Sequence, residues 1–403
     1  MPDDGPPLTS DDVEAAASVG RLPALARQLV FDGAWSSVDV VLRYSRDTGL
    51  ALGELEETVR AMTDAIAALP PGRRLASHDE IRALERQAAF TIAKRLERDP
   101  LTAAERNVLA LAATIWVDLG DLERAARTFE RAGDDARAAE TYGSLGDLER
   151  MEACLERDQQ QRQRRQAIAD TVRRFEALLA AGERAAAVTI AAGLPADDFE
   201  ASGALGEARD VERRLCRGRA LSLRLPGGEV LRLAGTPATI GRDGLCEVVL
   251  RDPGVSRRHA VVLADGKELA LADAGSRGGT RLGPAAIAGR LPLRGEGQLF
   301  VVGLGEHTQL RLRVVAPATV ELTGLTGLDR TLRAFVSGGP LPLAAVVSGA
   351  EGLSLRFDGP TCRLERVPAA SVRVGGRLVG IGCDLLHGDV IDVVASGLRL
   401  EVP

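Results

Sequence analysis

The sequence predicts a multidomain α + β protein whose N-terminal half is all-α and whose C-terminal half is all-β. The chain has 403 residues, the length of two to four domains. Of its 44 glycines, 14 lie in residues 1–215 and 30 in residues 216–403. The first half is rich in Ala, Leu, Glu and Arg, which are good helix formers, whereas the second reads as short Val, Leu and Arg strands between Gly, Pro and Asp turns. Because strands and helices do not alternate, the two halves are expected to be separate domains.

The composition argues against nucleic acid and membranes as partners. Lys and Arg total 51 and Asp and Glu total 57, which gives a net charge of -6, so a strongly basic binding surface is not expected. Aromatic residues make up only 3% of the chain, too few for a base-stacking platform. The sequence has no run of eighteen apolar residues and starts with an acidic, Pro-rich segment. Neither a transmembrane helix nor a signal peptide is therefore expected.

The cysteines and histidines predict a reduced protein without a metal site. Five cysteines are scattered along the chain and none forms a CxxC pair, which is typical of a cytoplasmic protein. The four histidines show no zinc-ligand spacing, and no nucleotide loop, zinc-protease motif or nucleophile elbow occurs. The carboxylates of the helical half lie at solvent-face spacing beside Arg residues, which favours ion pairs over acid–base catalysis. We expect a protein that is not an enzyme and holds no cofactor.

The helical half is predicted to be one α-helical repeat domain, residues 9–216, after a disordered tail, residues 1–8. Apolar residues recur at three- and four-residue spacing, most clearly at Leu52, Leu55, Val59, Met62, Ile66 and Leu69. Pro70, Pro71 and Gly72 are expected to end that helix. Helices are predicted at roughly 10–18, 23–32, 36–46, 51–69, 78–98, 102–118, 183–192 and 205–216.

A short repeat lies in the middle of the helical domain. Gly120-Asp121-Leu122-Glu123-Arg124 recurs as Gly133-Asp134-Asp135-Ala136-Arg137 and as Gly146-Asp147-Leu148-Glu149-Arg150, with successive glycines 13 positions apart. Glycine can take the left-handed conformation that ends a helix, and the aspartate after it can cap the next helix. The pattern resembles the helical-hairpin repeats of α-solenoids such as tetratricopeptide arrays, whose period of ~34 residues is longer. The resemblance implies that this domain binds a second protein.

A charged helix is predicted from Gln159 to about Leu179. Its arginines are Arg162, Arg164, Arg165, Arg173 and Arg174. They could form a basic patch for an acidic partner or simply a solvated helix face. We favour the solvated face, because charge runs on a helix are usually exposed to water.

Three motifs in residues 217–316 carry the functional prediction. The first is Gly241-Arg242, the second Ser256-Arg257-Arg258-His259, and the third Ser276-Arg277-Gly278-Gly279-Thr280. Their order and spacing resemble the forkhead-associated (FHA) family, whose pattern is a Gly-Arg pair, a Ser-Arg-x-His element and a Ser-x-Asn-Gly-Thr element. The resemblance implies a β-sandwich that binds phosphothreonine peptides through loops at one end. It also implies that the phosphorylated partner is a Ser/Thr protein kinase or its substrate.

The residue types in these motifs fit phosphate capture. A phosphothreonine carries close to two negative charges and three acceptor oxygens, so its capture needs charged donors on rigid loops. An Arg guanidinium and a Ser hydroxyl are such donors. The resemblance assigns phosphopeptide binding to Arg242, Ser256, Arg257, Arg277, Gly278 and Thr280. It assigns structural support of the site to Gly241, His259 and Gly279.

The third motif departs from the family pattern. Gly278 stands where the family has the Asn that contacts the peptide backbone, and Asn107, in the helical half, is the only Asn of the chain. Arg277 stands where the family often has a phosphate-contacting hydroxyl, and its guanidinium can replace that contact. A sandwich that has lost phosphate binding and serves as a scaffold is the alternative interpretation.

Residues 317–403 resemble a degenerate second copy of this domain. His387-Gly388-Asp389-Val390-Ile391 matches the closing turn and strand of the family. Val346-Val347-Ser348-Gly349 and Pro360-Thr361-Cys362-Arg363 stand where the Gly-Arg and Ser-Arg-x-His elements are expected, so the phosphate-binding Arg and Ser are missing. We predict an FHA-like sandwich used for packing or protein contact. A generic small β-domain is the alternative.

The complete prediction is a phosphothreonine-binding adaptor in Ser/Thr kinase signalling, with helical repeats that bind a second protein. The rival hypothesis is a structural assembly subunit whose FHA-like domains no longer bind phosphate. Whether the domain binds a phosphothreonine peptide more tightly than its unphosphorylated form distinguishes the two.

Overall fold

The computed structural model describes residues 8–48, 50–98, 100–357, 359–367 and 369–403. The predicted disordered tail, residues 1–8, lies outside the described residues except for Leu8. That residue is half-buried and packs with the group that includes Val13.

Helices fill the described residues as far as Arg214, in agreement with the predicted all-α half. They are α1 (Ser10–Ser18), α2 (Leu22–Asp32), α3 (Trp35–Asp47), α4 (Leu52–Ala68), α5 (Pro71–Ala76), α6 (His78–Arg95), α7 (Ala103–Asp118), α8 (Leu122–Ala132), α9 (Asp135–Leu145), α10 (Leu148–Ala181), α11 (Arg184–Ala191) and α12 (Phe199–Arg214). The chain forms two compact units, residues 1–165 and 166–403, and the division falls within α10.

Three helices differ from the sequence prediction. The Pro-Pro-Gly segment ends α4 as expected, but Pro71 also begins α5, because proline fits the first turn of a helix. Helix α12 begins six residues earlier than predicted, since the Asp198 side chain caps it by accepting hydrogen bonds from the backbone N–H groups of Glu200 and Ala201. Helix α10 is continuous from Leu148, so the third repeat unit and the charged segment form one helix.

The glycine and aspartate of the repeat act as the sequence predicts. Gly133 and Gly146 end α8 and α9 in the left-handed conformation, at φ 74° and 78°. The side chains of Asp121 and Asp134 accept hydrogen bonds from the backbone of the third residue beyond them and so cap α8 and α9. The likeness to tetratricopeptide arrays stays a prediction.

The repeat also contains an arginine–aromatic pair that sequence reasoning missed. Arg124 stacks on Trp116 with 5.1 Å between the guanidinium carbon and the ring centroid. The corresponding distances for Arg137 on Phe129 and Arg150 on Tyr142 are 4.6 and 5.5 Å. The same three arginines pair with the capping aspartates Asp121, Asp134 and Asp147. Each turn is therefore held by a cap, an ion pair and a cation–π contact.

Strands alternate with turns in the remaining described residues. They are β1 (Ala220–Arg224), β2 (Val230–Gly235), β3 (Ala238–Gly241), β4 (Val248–Val249), β5 (Ala260–Asp265), β6 (Glu268–Asp273), β7 (Thr280–Leu282), β8 (Ala285–Ala286), β9 (Arg290–Leu293), β10 (Leu299–Leu304), β11 (Thr308–Ala316), β12 (Thr319–Gly324), β13 (Arg333–Ser337), β14 (Leu341–Pro342), β15 (Leu353–Arg356), β16 (Arg363–Arg366), β17 (Val372–Val374), β18 (Arg377–Leu378), β19 (Gly382–Asp384), β20 (Val390–Val393) and β21 (Leu398–Glu401).

Two sandwiches share one sheet. A twelve-stranded sheet has the order β18-β17-β20-β21-β1-β2-β13-β12-β11-β10-β7-β8. A five-stranded sheet, β4-β3-β5-β6-β9, contributes side chains such as Ile240 and Val262 to a core that also contains Leu312 and Leu322 of the long sheet. A four-stranded sheet, β14-β15-β16-β19, contributes Leu355 and other side chains to a second core with the opposite end of the long sheet.

The predicted boundaries at 216 and 316 do not coincide with breaks in packing. Strands β12 and β13 lie beyond residue 316, yet Val320 and Val336 are buried in the first core. Val211 and Leu215, at the end of α12, pack with Leu386 of the second sandwich. The first sandwich is therefore complete only with residues up to Ser337.

Candidate functional site

The first two motifs lie side by side at one end of the first sandwich. The 242 loop (residues 242–247) follows β3, and the 256 loop (residues 251–258) precedes β5. The backbone N–H of Arg242 donates to the carbonyl of Ser256 at 3.2 Å, and that of Asp243 donates to the carbonyl of Arg257 at 3.0 Å. The loops around Arg242 and Ser256 therefore converge, as the functional prediction requires.

The glycine of the Gly-Arg pair allows this close approach. A Cβ on Gly241 would lie 2.1 Å from the carbonyl oxygen of Arg257, far inside van der Waals contact. Any side chain at this position would push the 256 loop away from β3. The residue thus has a steric reason to be glycine.

His259 connects the 256 loop to the 277 loop (residues 274–279). Its side chain is fully buried. Its Nδ1 accepts a hydrogen bond from the backbone N–H of Ser256 at 3.2 Å, and its Nε2 donates to the carbonyl of Gly279 at 3.1 Å. The two partners require a neutral imidazole with its proton on Nε2. His259 contributes to the site by fixing Ser256 and does not face solvent.

The Ser256 hydroxyl is oriented by the third motif. Its Oγ accepts a hydrogen bond from the backbone N–H of Arg277 at 3.0 Å. The hydroxyl hydrogen has no acceptor among the described residues, so it is available to an oxygen atom of a ligand.

Four arginines lie on the loop segments next to this hydroxyl: Arg242, Arg257, Arg258 and Arg277. We call them the arginine cluster. All four are exposed, and their side chains make no hydrogen bond or ion pair within the described ranges. In contrast, Arg313 and Arg333 on the long sheet both pair with Glu321. The cluster is a cationic surface without an internal counter-ion.

Asp273, which sequence reasoning missed, shapes the 277 loop. It accepts hydrogen bonds from the backbone N–H groups of Gly275 and Ser276 and from the hydroxyls of Ser276 and Thr280. Burial raises the pKa of Asp273, but these hydrogen bonds outweigh it and hold the pKa below its usual value. Thr280 is buried and its hydroxyl donates to Asp273, so it supports the loop from within, and its contact with the phosphopeptide stays a prediction.

Replacing Asp273 with asparagine is expected to destabilise the β-rich unit by about 2 kcal/mol at neutral pH, because charge-assisted hydrogen bonds are lost. The pKa of Asp273 is lowered by folding, so its stabilisation is present above the unfolded pKa and disappears as the pH falls through the folded value. The difference between wild type and Asp273→Asn should therefore shrink below about pH 4. Urea denaturation at several pH values measures it. Asp265→Asn, at an exposed carboxylate without a partner in the described residues, is the control; an equal loss in both variants would contradict the role of Asp273.

The start of the 256 loop is held by a residue distant in sequence. The backbone N–H of Arg251 donates to Asp329 Oδ1 at 2.8 Å, and that of Asp252 donates to Asp329 Oδ2 at 3.3 Å. Asp252 in turn accepts hydrogen bonds from Gly254 and Thr308. Asp329 lies beyond the predicted end of the domain, which is why the motif alone did not indicate it.

Gly278 sits against another glycine. A Cβ on Gly278 would lie 3.0 Å from the Cα of Gly305, in the turn between β10 and β11. The neighbour is backbone, so an asparagine here would require that turn to shift. The absence of an Asn side chain at position 278 is what allows the Gly305 turn to lie this close.

Comparison with known proteins identifies the family. The family model for the cytoplasmic domain of an inner membrane component of T3SS matches residues 226–302. An FHA domain from a structural and functional analysis of phosphothreonine-dependent FHA domain interactions is 33% identical over 21% of this chain and 88% of its own, with a TM-score of 0.17. The chain belongs to the forkhead-associated family. The sequence identity over nearly the whole length of that domain supports the assignment.

Two further solved structures are similar to the chain. The FHA domain of FhaA, in complex with the intracellular domain of Rv3910, is 33% identical over 21% of this chain and 91% of that chain, with a TM-score of 0.17. Mycobacterium tuberculosis EmbR, in complex with a low affinity phosphopeptide, is 17% identical over 73% of this chain and 66% of that chain, with a TM-score of 0.17. A comparison with curated proteins gives no significant match.

In the second sandwich, the segment predicted to correspond to the Ser-Arg-x-His element is engaged in ion pairs and hydrogen bonds within the chain. The Arg363 guanidinium pairs with Glu183, in the turn between α10 and α11, at 2.5 Å and with Asp384 at 3.2 Å. Thr361 donates to Asp384 at 3.0 Å, and Cys362 is buried. This part of the second sandwich is thus tied to the turn between α10 and α11 through Arg363. Within the described part of the chain, none of the helices is long and apolar enough to span a bilayer.

Proposed function

We propose that this protein is a non-enzymatic, cytoplasmic adaptor whose FHA domain binds a phosphothreonine segment of a protein partner in Ser/Thr kinase signalling. The partner is a Ser/Thr kinase or its substrate, and the helical repeats bind a second protein. The observation that carries this proposal is the arginine cluster around the Ser256 hydroxyl. The five cysteines, all buried thiols, support a reducing compartment.

The chemistry of the site fits a phosphate monoester. A phosphothreonine at neutral pH brings −1.5 to −2 charges and three strong acceptor oxygens. Each hydrogen bond to a charged group contributes about 1.5–3 kcal/mol, and a micromolar complex needs about 8 kcal/mol. Two or three donors from Arg242, Ser256 and Arg257 therefore supply much of the affinity.

The relatives support a protein ligand. The FhaA FHA domain was solved with the intracellular domain of another protein, and a further relative was studied for phosphothreonine-dependent interactions. Both are 33% identical to this chain over nearly the whole of their own length. The same ligand class is the simplest proposal for this site.

A structural assembly subunit is the second candidate. The match to a cytoplasmic domain of an inner membrane T3SS component favours it, as does Gly278 in place of the peptide-contacting Asn. In that case the FHA domain would serve protein contact without phosphate.

The deciding experiment is a titration of the full chain with a phosphothreonine peptide library and its unphosphorylated counterpart. The full chain is required because a segment ending at residue 316 would lack β12, β13 and the loop anchor Asp329. We expect micromolar binding that depends on the phosphate. Equal, negligible binding of both libraries would favour the assembly subunit.

A further inference from the structure

The arginine cluster holds more positive charge than one phosphothreonine neutralises. The four guanidiniums carry four positive charges, whereas one phosphothreonine brings at most two negative charges. Bringing the remaining like charges together around a bound ligand is unfavourable unless they too find an anion. We therefore expect the ligand to carry negative charge in addition to its phosphothreonine.

The nearby carboxylates of the domain do not neutralise this excess. Asp243 Oδ1 accepts a hydrogen bond from the backbone N–H of Leu245 at 3.1 Å. Glu247 Oε2 accepts one from the backbone N–H of Thr239 at 2.8 Å. Glu306, beyond Gly305, is exposed and faces His307 at 3.8 Å. Within the described residues, none of these carboxylates pairs with an arginine of the cluster.

Arg258 is the arginine that the family pattern leaves without a role. It is the variable position of the Ser-Arg-x-His element, next to Arg257. Burial raises the pKa of the Cys246 thiol, and the positive charge of Arg258 acts in the opposite direction, which places that charge near the 242 loop. Arg258 follows Arg257, whose carbonyl accepts a hydrogen bond from the backbone N–H of Asp243, so the exposed Arg258 adds a positive charge beside the 242 loop.

Gly278 removes a competing source of selectivity. Because residue 278 has no side chain, it offers no side-chain amide to hydrogen-bond the backbone of the ligand. Gly305 also restricts the space beside it. Recognition around the phosphate must then depend more on charge than on side-chain hydrogen bonds.

We infer that this FHA domain selects phosphothreonine segments that carry additional negative charge next to the phosphothreonine, and that Arg258 is a specificity-determining residue for that charge. The inference rests on the proposed phosphothreonine binding. Either an Asp or Glu side chain or a second phosphate provides the chemistry, since each is an anion that a guanidinium binds through paired hydrogen bonds.

The test compares four fluorescent peptides on the full chain by anisotropy. One carries a single phosphothreonine among neutral residues, the second adds Asp on both sides, the third adds a second phosphothreonine, and the fourth is the Asp peptide without phosphate. We expect the second or third peptide to bind at least tenfold more tightly than the first, with the ratio falling as salt is raised. If the second peptide binds more tightly than the first, the additional anion is a carboxylate. If only the third peptide binds more tightly than the first, the additional anion is a second phosphate.

Arg258→Gln should reduce this ratio of dissociation constants to about threefold or less. Arg311→Gln, which removes an exposed and unpaired arginine of the described structure on the outer face of the long sheet, should leave the ratio unchanged. Equal binding of the first three peptides would overturn the inference while leaving the proposed function intact. An unchanged ratio in Arg258→Gln would overturn the role of Arg258. If none of the phosphorylated peptides binds better than the fourth, the proposed function fails and the inference with it.

Discussion

Replacing Gly241 with alanine is expected to abolish phosphopeptide binding and to destabilise the β-rich unit by about 3 kcal/mol. The new methyl group would lie 2.1 Å from the Arg257 carbonyl oxygen, and no side-chain rotation can relieve the clash, because one atom is fixed on β3 and the other on the backbone of the 256 loop. Relief of the clash must separate the 242 loop from the 256 loop and so disperse the arginine cluster. Urea denaturation and peptide titration of the full chain measure the two effects.

Gly244→Ala is the matched control, because a Cβ at Gly244, in the same loop, would meet no heavy atom within 4 Å. It should change neither stability nor affinity beyond about 0.5 kcal/mol. Near-native stability and binding of Gly241→Ala would mean that the two loops are not held together as described.

Replacing Arg242 with alanine is expected to weaken phosphothreonine binding by at least about 2 kcal/mol, roughly a 30-fold rise in dissociation constant. The fold should be unaffected, because the Arg242 side chain is exposed and bonds to nothing else in the described residues, and its backbone N–H remains bonded to Ser256. The measurement is a peptide titration paired with a thermal denaturation.

Arg399→Ala provides the control, since Arg399 is likewise exposed and unpaired in the described structure but lies on β21 of the second sandwich. Its affinity should match wild type. If Arg242→Ala retained the wild-type dissociation constant, the phosphate would have to bind elsewhere.

The adjacency of the site loops was predictable from sequence because the order and spacing of the three motifs resemble the FHA family, which implies that these loops lie at one end of a sandwich. The resemblance assigned structural support to Gly241 and His259, and the structure shows how each acts: Gly241 permits the close approach of the Arg257 carbonyl, and His259 bonds to the backbone of Ser256. Asp273 and Asp329 were not predictable in the same way. An aspartate in a turn is common, and only the fold shows that Asp273 gathers four donors while Asp329 bonds to a loop far away in sequence.

The helices were predicted well where caps and breakers are local, as at Gly133 and Asp134. Their ends were predicted less well where a single capping residue decides, as at Asp198 for α12. The extent of each sandwich could not be predicted, because it depends on non-local pairing. Strand β2 pairs in parallel with β13, about a hundred residues later, and no periodicity in the sequence signals that partner.

The shared twelve-stranded sheet has an evolutionary and mechanical consequence. Strands β1 and β2 supply Leu221 and Leu233 to the second core, whereas Ala234 of β2 lies in the first. Neither sandwich could be exchanged between proteins, or lost by deletion, without exposing a hydrophobic flank of the other. The FHA domain of this chain is therefore not an independent, free-standing domain. Mechanical force applied to the C-terminal sandwich would be transmitted to the peptide-binding sandwich through the backbone hydrogen bonds of the shared sheet.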